Sequence, residues 1–106
     1  MRLTDDGATV VLDLHGATVE EALRAARRAL VLAMGAGRHR LDLVHGASTT
    51  DPYGARRTIK SALYDWLDAG LPAGVHHGQR GDSRLSLYLD VTARPRPGRL
   101  TLRDLR

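Results

Sequence analysis

The sequence predicts an α/β domain of two layers, in the order β-α-β-α followed by two or three further strands in a parallel or mixed sheet. Three observations carry this. Short apolar runs at 9–14 and 40–45 read as strands. Between them lies a segment with apolar residues three and four apart, the period of an amphipathic helix. Later, Leu85-Ser86-Leu87-Tyr88-Leu89-Asp90-Val91 alternates with period two, as a half-buried strand does. The first two strands and the helix between them form a βαβ unit, whose crossover is right-handed.

Each element has a local reason. Residues 1–8 are polar and read as a loose segment. After the first strand, Thr18-Val19-Glu20-Glu21 has the form of a capping box, with Thr18 as N-cap and Glu21 reaching back. Val19, Leu23, Ala26, Leu30 and Ala33 make the apolar stripe of the helix, and Gly35 and Gly37 end it. A polar loop at 47–54 follows the second strand, long for a βα connection. The second helix spans about 56–69, with Ile59, Leu63, Trp66 and Leu67 on one face. Residues 74–77 read as a short strand and 78–82 as a turn cluster. In the strand at 85–91, Ser86, Tyr88 and Asp90 face away from the core. Residues 94–98 form a stiff basic turn, and 100–102 an edge strand or a tail. The chain thus divides into a loose start at 1–8, a domain at 9–93, and a basic turn with a final strand or tail at 94–106.

A chain of 106 residues is large enough for one core, and 42% hydrophobic content argues against disorder. With no Phe, the core is built mainly from Leu, Val and Ala. Lys and Arg outnumber Asp and Glu by 16 to 12, a formal net charge of +4, which suits a polyanion such as nucleic acid. Lys60 is the one lysine, and Arg is the better match to phosphate. The plainer alternative is a GC-rich coding bias, which explains Arg over Lys better than it explains the positive balance. No cysteine is present, which excludes disulfides, thiolate catalysis and cysteine zinc sites. The first residues lack the apolar stretch of a signal peptide and no apolar run is long enough to cross a membrane, so the expected location is cytoplasmic.

The chain also writes nearly the same phrase twice: Leu12-Asp13-Leu14-His15-Gly16, then Leu41-Asp42-Leu43-Val44-His45-Gly46. If the two strands are parallel neighbours, both histidines project at the sheet edge where open α/β sheets place ligands. Val11, Asp13 and His15 share one face of the first strand; Leu41, Leu43 and His45 share one face of the second. The expectation is that His15 and His45 lie close together, with Asp13 orienting the His15 ring. The plainer alternative is that Asp13 and His15 merely cap the strand end. Gly16 and Gly46 let the backbone turn sharply and approach a ligand. His76 and His77 sit next to each other on a strand, point to opposite faces, and read as exposed histidines, not a metal pair. Trp66 reads as core, Tyr53 as a weak candidate for stacking on a base, and the arginines at 94–99 as a solvated turn or a nucleic-acid contact.

Taken together, the Leu12 to Gly16 phrase, the Thr18-Val19-Glu20-Glu21-Ala22 helix start, and Val44-His45-Gly46 before a Trp66-Leu67 helix resemble the small MutS-related (Smr) domain family. The resemblance implies a nucleic-acid-binding fold similar to the carboxyl-terminal domain of bacterial translation initiation factor three. It also implies endonuclease activity that nicks DNA or cleaves RNA. Asp13 and His15 match the family's LDxH motif, and His45 and Gly46 begin its HGxG motif, whose second glycine is Ser48 here. The family's Leu-Arg pair falls on Ile59-Lys60, and its GGxGAT phrase is reduced to Gly81-Asp82-Ser83-Arg84. The implied catalytic residues are Asp13, His15 and His45. The implied nucleic-acid contacts are Gly16, Gly46, Ser48, Arg56, Arg57, Lys60 and Arg84. A divalent metal, Mg²⁺ or Mn²⁺, held through Asp13 and a histidine stays open, because so few ligands specify none. Two other readings compete with the nuclease: a non-catalytic nucleic-acid-binding module, and a protein-interaction domain.

Overall fold

Leucine or valine at every second strand position builds the covered face of the sheet. In the computed structural model, which describes residues 1–46 and 57–106, Val10, Leu12, Leu14, Leu41, Leu43, Leu85, Leu87 and Leu89 are all buried. Cross-strand pairing puts them on one side: Val10 lies beside Leu41, Leu12 beside Leu43, and Leu41 beside Leu87.

The described residues form β1 (Arg2–Asp5), β2 (Thr9–Asp13), α1 (Val19–Gly35), β3 (Arg40–Val44), α2 (Ile59–Asp68), β4 (Val75–Arg80) and β5 (Arg84–Leu89), then a 3-10 helix at Leu102–Leu105. The sheet order is β1-β2-β3-β5-β4. β2 and β3 are parallel, as the βαβ unit requires, and the other three pairings are antiparallel. The sheet is therefore mixed, and both helices share one core with its leucine face. This is the expected two-layer α/β class.

The Thr18 capping box forms as expected: the Glu21 N–H donates to Thr18 Oγ1 and the Thr18 N–H donates to the Glu21 carboxylate. The buried stripe of α1 is richer in alanine than its spacing suggested, with Ala22, Ala25, Ala26, Ala29, Leu30 and Ala33 inside. Small side chains let the helix settle close to the strands, which leaves Leu23 half-buried at the margin. α2 starts later than expected because Thr58 and Ser61 form a second capping box.

Three elements differ from expectation, each for a reason distant in sequence. The start is not loose: Arg2–Asp5 is an edge strand antiparallel to β2. Its anchor is Asp5, whose carboxylate accepts from Arg38 Nε at 2.9 Å and from the Leu100 N–H at 2.7 Å. Burial alone would raise the Asp5 pKa; the hydrogen bonds from Arg38, Leu100 and Gly7 outweigh it and hold the carboxyl below its ordinary value. Arg38, 1% exposed, also donates to the carbonyls of Ala36, Arg96 and Gly98. One buried cation thereby ties the amino-terminal strand and the 94–100 segment to the end of α1.

Second, β4 runs on through Gly78, Gln79 and Arg80, which composition marks as a turn. A Cβ on Gly78 would sit 3.0 Å from Leu67 Cδ1, so the glycine lets α2 press onto the strand. Third, residues 102–105 coil into the 3-10 helix, with Leu102 and Leu105 packed on the core and Leu100 buried.

Candidate functional site

The two repeated phrases do lie on neighbouring parallel strands, and their histidines follow the strand ends. The pairing between them is offset, however. Leu12 lies beside Leu43 and Asp13 beside Val44, and the Leu14 N–H donates to the Val44 carbonyl. His45 therefore comes level with Leu14, not with His15. Strand faces alternate with every residue, so one extra residue, Val44, sends the two histidines to opposite sides.

His15 is exposed, in a turn closed by Gly16 at φ +85°. It borders a shallow groove with Met1, Arg2 and Asp13, on the side away from the helices. Arg2 and Asp13 are cross-strand partners there. Asp13 Oδ1 accepts from the His15 backbone N–H at 2.9 Å. In this structure, then, the carboxylate shapes the turn, and the expectation that it orients the imidazole is corrected.

His45 is half-buried on the helix side. Its backbone N–H and that of Gly46 both donate to the Ser83 carbonyl, at 2.9 and 3.1 Å, which pins the His-Gly turn to the β4–β5 connection. Ring Nδ1 lies 2.7 Å from the Gly46 carbonyl oxygen. A carbonyl only accepts, so Nδ1 carries the proton and Nε2 holds the lone pair. Nε2 is buried and has no hydrogen-bond partner among the described residues. The ring meets Tyr64 of α2 edge-on, with centroids 5.9 Å apart. Burial lowers the His45 pKa, the nearby Lys60 charge lowers it further, and the Gly46 hydrogen bond opposes both without reversing them. At neutral pH His45 is thus a neutral imidazole of fixed tautomer, able to take a proton at Nε2.

The basic residues divide in the same way. Lys60 Nζ lies 5.7 Å from the Tyr64 ring centroid, and the Arg80 guanidinium lies 4.8 Å from it. Arg57 is exposed and paired with Asp65 at 3.3 Å. Arg84 stands beside Val44 on the open side and donates to the buried Asp42 at 2.9 Å. Gly46 takes φ +85°, the same as Gly16. Ser48, Tyr53 and Arg56 lie outside the described residues.

The structure thus gathers Arg2, Asp13 and His15 in one place, and His45, Lys60 and Tyr64 in another, and does not join the two histidines in one cluster. Sequence reasoning passed over Tyr64, which follows Lys60 by four residues and so shares its helix face, a spacing that could have revealed it. It also passed over the Ser83 carbonyl, which is legible only once β5 is seen beside β3.

Among the described residues the donor set does not fit a metal. No three His, Asp or Glu side chains among them cluster to hold an ion. Asp13 is turned to its own backbone, and Asp42 is held between Arg40 and Arg84. His76 pairs with Asp90 at 2.9 Å while His77 rests by Tyr88, so these two histidines have separate partners.

A family model described as Smr domain matches residues 12–83, more than half of the 106-residue chain and both His-Gly phrases. No curated protein and no solved structure matches. Among the described residues, no helix is long and apolar enough to cross a membrane.

Proposed function

We propose that this chain, which belongs to the Smr domain family, binds nucleic acid and cuts its phosphodiester backbone at the edge where β2 and β3 end. The observation that carries this reading is His45: a neutral ring, tautomer set by the Gly46 carbonyl, with a buried lone pair at Nε2. A general base needs an unprotonated ring nitrogen, which the neutral His45 carries at Nε2. His45 Nε2 takes the proton of the attacking oxygen, from water or a ribose hydroxyl, as that oxygen bonds to phosphorus. Lys60, on the same side as His45, stabilises the charge that gathers on the phosphate oxygens. His15, exposed in the adjoining turn, gives a proton to the oxygen that leaves. Asp13 holds that turn in shape.

The test is a cleavage assay on supercoiled DNA and on structured RNA, with and without Mg²⁺ or Mn²⁺. His45→Ala should lower cleavage by about 10²–10⁴-fold, the usual worth of acid–base catalysis, while binding holds. Undiminished cleavage in that variant would remove His45 from the role.

A second reading, a nucleic-acid-binding module without catalysis, has one observation in its favour. The two histidines face different neighbours, and Asp13 is committed to the backbone. A wild-type chain that binds yet never cuts, with either metal present, would establish it.

A further inference from the structure

The sheet has a second face, away from the helices, most of which lies beyond the edge residues. Opposite the leucines, the register lines Arg40, Tyr88 and His77 in one row across β3, β5 and β4. The Arg40 guanidinium lies 6.0 Å from the Tyr88 ring centroid. The rings of Tyr88 and His77 are 5.6 Å apart and tilted by 32°. Neighbouring strands are about 4.8 Å apart, so adjacent strand positions present flat groups at a spacing that successive unstacked bases can follow.

Charge on this face is arranged outward. Asp42 lies under Arg40 and Arg84, at 3.1 and 2.9 Å, with its own side chain 1% exposed. The two arginine side chains remain 39% and 49% exposed. A buried carboxylate therefore sits beneath two part-exposed guanidiniums. Guanidiniums suit phosphate oxygens.

We infer that this open face is a platform for single-stranded nucleic acid, with bases stacking on Tyr88 and His77 and phosphates meeting Arg40 and Arg84. The inference rests on the nucleic-acid reading above and adds to it the form of the polymer. A single strand is required because a duplex hides the faces of its bases, whereas an aromatic row on an open sheet reads bare ones.

The experiment is a fluorescence-anisotropy titration of the full chain, without added metal. The probes are a labelled single-stranded oligonucleotide and a blunt duplex of the same sequence. Tyr88→Ala should weaken single-strand binding by about five- to a hundredfold, the range for losing one base–aromatic stack. Tyr88→Phe keeps the ring and should bind as wild type, which separates stacking from loss of fold; matched melting curves for both variants complete that control. Arg40→Gln should lower the salt dependence of single-strand binding by about 0.7 in the logarithmic slope, one phosphate's worth. Wild-type binding to the single strand that Tyr88→Ala and His77→Ala leave unchanged would overturn the platform and leave the nucleic-acid reading intact. Binding to the duplex alone would do the same. Binding to neither would overturn both. A dimer that Tyr88→Ala dissociates, with oligonucleotide affinity unaltered, would assign the face to a second copy of the chain and overturn the inference.

Discussion

The phrases ending at Gly16 and at Gly46 share four residue types in the same order, yet they meet different surroundings. Both close adjacent parallel strands, and both turn on a glycine at φ +85°. The first leaves its histidine exposed beside Arg2 and Asp13. The second folds its histidine against Tyr64 and alongside Lys60, with a proton on one nitrogen and a lone pair on the other. The difference is Val44. A repeat in sequence becomes a repeat in space only if its offset is even, because strand faces alternate. Here the offset is odd, and nearly identical words acquire two environments and two proposed roles.

The strongest way to break this comparison is to remove the offset. Deleting Val44 makes the second phrase identical in length to the first and brings its histidine level with Asp13, on the open face. The base then loses Tyr64 and Lys60, and cleavage should fall by at least about 10²-fold, the lower end for losing a general base. Cleavage assays on the folded deletion variant check this; retained activity would show that the face of the ring does not matter.

A smaller effect sharpens the same point through stability. The His45 pKa in the fold lies below its ordinary 6.5. As pH falls through 6.5, the unfolded chain takes up that proton before the folded chain does, so the unfolded state binds more protons and stability drops. The stability concerned is present above 6.5 and declines in the window below it. His45→Gln should flatten this part of the curve, read as Tm against pH from neutral to about 5. An unaltered slope would mean that His45 is not shielded as described.

Much of this was legible in the sequence, and the legible parts share a property: their cause is local. Thr18 and Glu21 announce a capping box within four residues, and Leu85, Leu87 and Leu89 announce a buried face within five. The two His-Gly phrases announced the ends of two strands in the same way, and those strands are parallel neighbours. What was not legible depends on partners far along the chain. Asp5 looks like part of a polar tail until Arg38 and Leu100 close around it. Gly78 looks like a turn residue until Leu67 is seen pressing on it. The face taken by His45 depends on the register of β3 against β2, which follows from both strands' leucines seeking the same helices. Counting residues within each phrase gives the correct face on each strand. It does not relate one strand to the other, and there the expected convergence of the two imidazoles failed.

The central claim is that Val44 separates the two rings, and nuclear Overhauser contacts from the imidazole protons of the full chain test it most directly. The His45 ring should show contacts to the Tyr64 ring and to the Lys60 side chain, the His15 ring should show contacts to Asp13 and Arg2, and no contact should join the two imidazoles. A cross-peak between the His15 and His45 rings, with none from His45 to Tyr64, would contradict the account.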